Sequence, residues 1–146
     1  MKIYLDTSVY NRPFDDQTQP RIWLETLALA LILQLIEAGE ATLVNSSILE
    51  FENSQNPFSI RQDWVNRCCE LATNYQRVDE TIRKRAETLE RKGIPAIDAL
   101  HVACAEASGA DYFLTCDDRL VRKQKQLNLN SMNPLDFVQK VMGEQP

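Results

Sequence analysis

The chain has 146 residues, 44% of them hydrophobic and 25% charged, as expected for a single globular domain with one core. Its net charge of -5, from 21 acids against 16 bases, argues mildly against nucleic-acid binding, but four carboxylates committed to metal would bring acids and bases nearly level. One histidine, cysteines without metal-ligand spacing, and no stretch that reads as a signal peptide or a membrane span argue against zinc and for a reduced cytoplasm.

Lys2–Leu5 reads as a first strand and ends at Asp6. Arg21–Ala38 is a strongly apolar helix that Gly39 stops. Its run from Leu27 to Ile36 is apolar nearly all round, too wide for one core, which points to a homodimer through this helix. Ala41–Asn45 is a second strand, followed by a helix from about Ser47 to Asn53. Asn56-Pro57 breaks the chain, and Ser59–Thr73 resumes it as a helix. A short strand at Tyr75–Val78 leads to a charged helix, Glu80–Lys92, stopped by Gly93. Pro95 opens the next helix, which runs to Ser108. Tyr112–Thr115 is the next strand, followed by a basic helix around Arg119–Gln126, a short strand near Asn130 and a terminal helix from Pro134.

Strands separated by helices imply an α/β fold with a parallel sheet covered on both faces, in one domain spanning residues 1–146. Ligands of such sheets gather beyond the carboxyl ends of the strands. Asp6 and Asp117 sit at those ends, and no linker or repeat interrupts the chain.

Asp6 leads Asp6-Thr7-Ser8, where a plain turn would also suit an aspartate. Two acids compete for the next position. Ser47-Ile48-Leu49-Glu50 reads as a capping box that occupies Glu50, whereas Glu52 shares the core-facing side of Ile48 and Leu49. Glu52 is therefore the functional choice and Glu50 the alternative. Asp98 lies one turn into the helix opened by Pro95, among Ile97, Ala99, Leu100 and Val102. Asp117 and Asp118 follow a strand directly, so one of them caps the next helix and the other is left free.

Gathered carboxylates repel, and no matching set of Lys or Arg accompanies them, so a shared cation is the simplest compensation. Oxygen-only ligands suit Mg²⁺ or Mn²⁺. His101 fits a core or supporting role better than that of a base. Arg119, Arg122, Lys123 and Lys125 concentrate positive charge just beyond Asp117, where they can guide a phosphate backbone toward the acids.

The segments Tyr4-Leu5-Asp6-Thr7-Ser8-Val9, Ser46 with Glu52, Ile97-Asp98-Ala99-Leu100-His101-Val102-Ala103 and Phe113-Leu114-Thr115-Cys116-Asp117-Asp118-Arg119-Leu120 occur in an order that spans nearly the whole chain. In this the sequence resembles the PIN-domain nucleases, which include toxins of bacterial type II toxin–antitoxin pairs (the virulence-associated protein C group). The resemblance implies a three-layer α/β/α sandwich, a Mg²⁺ or Mn²⁺ site and cleavage of single-stranded or structured RNA by a metal-activated water. It casts Asp6, Asp98 and Asp117 as metal-site acids, Glu52 as the fourth catalytic acid, and Thr7, Ser8 and Thr115 as supporting hydroxyls. Arg119, Arg122 and Lys123 are then RNA contacts, and an antitoxin protein is an expected partner. Leu49 departs from the pattern, occupying a position often held by a hydroxyl residue.

Three rivals fit less well. A haloacid-dehalogenase-type phosphatase needs a second acid two residues after Asp6, and that position is Ser8. A catalytically silent PIN-like scaffold that binds RNA or protein has no need of intact carboxylates. Four glycines without a Gly-rich loop also count against a nucleotide-binding module.

Overall fold

The computed structural model describes residues 1–143. Five parallel strands, β1 (Lys2–Leu5), β2 (Thr42–Ser46), β3 (Asn74–Gln76), β4 (Tyr112–Leu114) and β5 (Asn130–Met132), form one sheet in the order β3-β2-β1-β4-β5. Around it lie α1 (Thr7–Tyr10), α2 (Pro20–Glu37), α3 (Ser47–Ser54), α4 (Ser59–Cys69), α5 (Glu80–Arg91), α6 (Ala96–Ala107), α7 (Asp118–Val121) and α8 (Pro134–Gly143).

Strand alternation divides the core in two. Ile3 and Leu5 of β1 join Leu43 and Leu114 in packing against α1, α2, α4 and α8 through Val9, Tyr10, Leu29, Ile32, Val65 and Phe137. Tyr4, Val44 and Phe113 point the other way, onto Ile82 and Leu89 of α5 and Val102 of α6. Helices therefore cover both faces, and the fold is the expected α/β/α sandwich.

Several boundaries differ from the sequence reading. Asp6 caps a short helix, α1, whose four residues are too few to show an apolar period. A 3₁₀ turn at Arg12–Phe14 follows it and was equally hidden. The helix expected over Ser59–Thr73 ends at Cys69, because Thr73 already donates its amide to Leu43 O of β2 at 3.2 Å. The basic helix expected over Arg119–Gln126 breaks into α7 and a 3₁₀ turn at Gln124–Gln126. There the Gln124 amide turns to β5, donating to Leu129 O and accepting from Ser131 N, each at 2.5 Å.

One buried carboxylate holds the α2 side together. Glu25 lies just before the apolar run of α2 and is fully buried. It accepts from Arg12 Nε at 2.9 Å and from Asn133, the residue before α8, and lies 3.4 Å from Arg21 Nε. It thus links the 3₁₀ turn, α2 and the β5–α8 junction. Removing one partner of a buried ion pair strands the other charge at a cost of about 3–5 kcal/mol. Glu25→Ala is expected to lose about 3 kcal/mol of stability by that mechanism, read as a lower urea midpoint at unchanged slope. A variant as stable as the parent would show that the pair contributes nothing.

Candidate active site

The β1–β4 register pairs Leu5 with Leu114, so Asp6 and Thr115 are the next residues out on adjacent strands. The Asp6 amide extends that ladder, donating to Leu114 O at 3.1 Å. Asp6 is nearly fully buried, and its Oδ1 accepts from Ser8 Oγ at 2.5 Å and from Val9 N at 3.3 Å. Burial raises the Asp6 pKa, and hydrogen bonds from Ser8 and Thr115 oppose that rise only in part. Ser8 Oγ accepts from Cys116 N at 3.0 Å, and Thr115 Oγ1 accepts from Asp117 N at 3.1 Å. The supporting hydroxyls thus tie the ends of β1 and β4 together.

Glu52, on α3, is half-buried, whereas Glu50 is exposed and reaches only Asn45, at 3.4 Å. The expected capping box is absent. Ser46, one residue earlier than predicted, caps α3 by accepting from Leu49 N at 3.1 Å, and Ser47 instead accepts from Val78 N at 2.9 Å. Both groups that fix Glu52 use one oxygen: Thr7 Oγ1 donates to Oε1 at 2.7 Å and His101 Nε2 to the same atom at 2.8 Å. Burial opposes ionisation of Glu52, but the hydrogen bonds from His101 and Thr7 outweigh it and hold the pKa below the ordinary value.

Behind Glu52 runs a chain of buried hydrogen bonds. Tyr4 OH lies 2.6 Å from both His101 Nδ1 and Ser46 Oγ. One direction of donation satisfies every atom in it: Leu49 N–H to Ser46, Ser46 to Tyr4, Tyr4 to His101 Nδ1, and His101 Nε2–H to Glu52. The reverse direction would strand the Ser46 hydroxyl proton. His101 therefore supports the site through Glu52, as its sequence position suggested. The roles of Tyr4 and Ser46 were missed, although a tyrosine on the α6 side of a buried strand needs a partner for its hydroxyl.

Asp98 lies in the first turn of α6 with its pKa pushed up to about 6. Burial is the main cause, the charges of Asp6, Asp117 and Glu52 add to it, and His101 opposes it. Asp117 caps α7, accepting from Arg119 N at 2.9 Å, with Arg119 Nε 3.5 Å away. Asp118 is not free as expected: Arg21 holds it with two hydrogen bonds of 2.6 and 2.8 Å. A cleft of about 430 Å³ brings Asp98 and Asp117 together with Arg119, Arg122 and Lys123.

The four predicted acids thus share one electrostatic neighbourhood of oxygen donors, and no Lys or Arg among the described residues pairs with Asp6 or Asp98. Uncompensated hard oxygen donors fit a divalent cation such as Mg²⁺. Among the described residues no three His, Cys, Asp or Glu side chains already enclose a metal position. A magnesium ion that keeps most of its waters and takes one or two carboxylates requires no such cage.

The family model of the PIN domain matches residues 3–126. The chain belongs to the PIN domain family, a family of nucleases. No curated protein matches it. Among solved structures it is similar to VapBC2 from Rickettsia felis, bound to a DNA fragment from their promoter, with 17% identity and a TM-score of 0.57 over 91% of this chain and 98% of that one. It is also similar to FitAcB from Neisseria gonorrhoeae, with 22% identity and a TM-score of 0.52 over 90% and 97%. These likenesses support the PIN fold. Among the described residues no helix is long and apolar enough to cross a membrane.

The raised Asp98 pKa has a testable sign. An acid whose pKa is higher folded than unfolded weakens the fold as pH climbs through that range, and the penalty is complete above the folded value. In chelator, Asp98→Asn is expected to melt at a higher temperature than the parent at pH 7.5, with the difference fading toward pH 4. A lower melting temperature for the variant at pH 7.5 would mean that Asp98 is compensated.

Proposed function

We propose that this PIN nuclease is a Mg²⁺- or Mn²⁺-dependent endoribonuclease that cuts single-stranded RNA in the cytoplasm as the toxin of a toxin–antitoxin pair. One observation carries the reading: two half-buried, mutually repelling acids, Asp98 and Asp117, border a cleft lined by Arg119, Arg122 and Lys123. The acids suit a metal, and the cations suit the phosphates beside it. An antitoxin partner is supported by the likeness to VapBC2.

Asp6, Asp98 and Asp117 are the residues that would hold the ion. When bound, it supplies the Lewis acidity that makes water nucleophilic at neutral pH and offsets charge on the scissile phosphate. Glu52 aims the water. Its Oε1 is taken by Thr7 and His101, so Oε2 is left to accept a hydrogen bond from the attacking molecule. Water adds to phosphorus in line, the bond to the 3′ oxygen breaks, and the fragments carry a 5′-phosphate and a 3′-hydroxyl. Arg119, Arg122 and Lys123 hold neighbouring phosphates without touching the reacting atoms.

A homodimer through α2 belongs to the same proposal. Ala28, Leu29, Ile32 and Ile36 bury one face of the helix, while Trp23, Leu24 and Leu27 stay exposed at 50%, 39% and 42%. Contiguous apolar surface of this kind marks an interface. Leu27→Glu is expected to convert a dimer to a monomer by light scattering at micromolar concentration, and a parent protein that is already monomeric would refute the interface.

Asp6→Asn keeps shape and most hydrogen bonding while removing one ligand charge. It is expected to fold normally and to lose at least ~100-fold in cleavage rate, the scale of losing transition-state charge stabilisation. Arg122→Ala should instead weaken RNA binding and flatten its salt dependence, with the chemical step retained. Parental cleavage rates from Asp6→Asn, or cleavage that survives chelator, would overturn the metal-dependent reading.

A further inference from the structure

A second hollow, of about 350 Å³, opens on the Glu52 side of the acids. Thr7 and Glu52 line it together with Asn11, Asn53, Phe58 and Arg61. None of these last four belongs to the machinery described above. The volume lies within the range of small-molecule sites and accommodates a nucleotide base.

Its wall has the composition of a base-recognition site. Phe58, at the start of α4, leaves 56% of its surface exposed. The Arg61 guanidinium stands over the Phe58 ring at 4.8 Å and the Phe14 ring at 5.5 Å. No carboxylate pairs with Arg61 among the described residues, so its charge remains open to a phosphate. Exposed aromatic rings and guanidinium planes are the surfaces on which single-stranded bases stack.

We infer that this hollow is a subsite that stacks the base of a nucleotide next to the scissile phosphate. Phe58 and Arg61 supply the stacking surface. The inference rests on the nuclease reading, because the strand must pass Glu52 to reach it.

Equilibrium binding of labelled octamers of adenosine, cytidine and uridine, measured by fluorescence anisotropy in chelator at fixed salt, tests it without cleavage. The adenosine octamer, whose base offers the larger stacking face, should bind more tightly than the uridine octamer. Phe58→Ala should weaken the adenosine octamer about 10-fold, the scale of one lost stacked base, and Phe58→Trp should restore it. Arg122→Ala should weaken all three octamers alike. If Phe58→Ala and Arg61→Ala bind like the parent while Arg122→Ala is impaired, RNA binds but the subsite is refuted. If the parent binds none of the octamers, the ribonuclease reading falls and the subsite with it.

Discussion

Like charge gathered at the end of a parallel sheet is the constraint around which this protein is built. Strands β1 and β4 run side by side and deliver Asp6 and Asp117 to the same edge, while α3 and α6 bring up Glu52 and Asp98. Folding has to place these groups against their mutual repulsion, which adds to the main effect of burial in raising the Asp98 pKa to about 6. The solvation lost by burial is replaced by fixed dipoles: Ser8 and the Val9 amide on Asp6, Thr7 and His101 on Glu52, the Arg119 amide on Asp117. Such donors hold a carboxylate in place without cancelling its charge. The charge therefore stays available for a cation.

The surrounding ion pairs preserve that availability. Arg12 and Arg21 both come from the segment that follows β1, and neither pairs with Asp6 or Asp117. Arg12 is committed to Glu25 and Asp15, and Arg21 to Asp118 and Glu25. The buried Glu25 thus engages both guanidiniums as well as joining α2 to α8. The adjacent aspartates are a division of labour, with one lining the cleft and the other engaging a cation outside it.

Much of this arrangement was legible in the sequence, and the illegible parts share a cause. Alternating strands and helices, with acids at strand ends, located Asp6 and Asp117 because strand order and sheet chemistry are local signals. Helical phase separated Glu52 from Glu50, since only Glu52 follows Ile48 and Leu49 onto the inward side. What escaped was decided by contacts distant in sequence. Glu25 looked like the flank of an apolar run, and its burial depends on Arg12 and Asn133, the latter 108 residues away. The α3 cap shifted from Ser47 to Ser46 because Ser46 is also needed by Tyr4 and Ser47 by Val78. The basic helix broke because Gln124 bonds β5 rather than its own helix. In each case a tertiary hydrogen bond overrode a sound local preference.

The same principle gives the site its two sides. On the Asp98 and Asp117 side lie Arg119, Arg122 and Lys123, chemistry that recognises phosphates and is blind to sequence. On the Glu52 side lie an aromatic ring, a guanidinium and amides, chemistry that meets bases. On the proposed reading, a net charge of -5 leaves the cationic edge as the favoured approach for a polyanion. A strand drawn there by charge would cross Glu52 before reaching anything that reads a base, which sets attraction and selection on opposite sides of the acids.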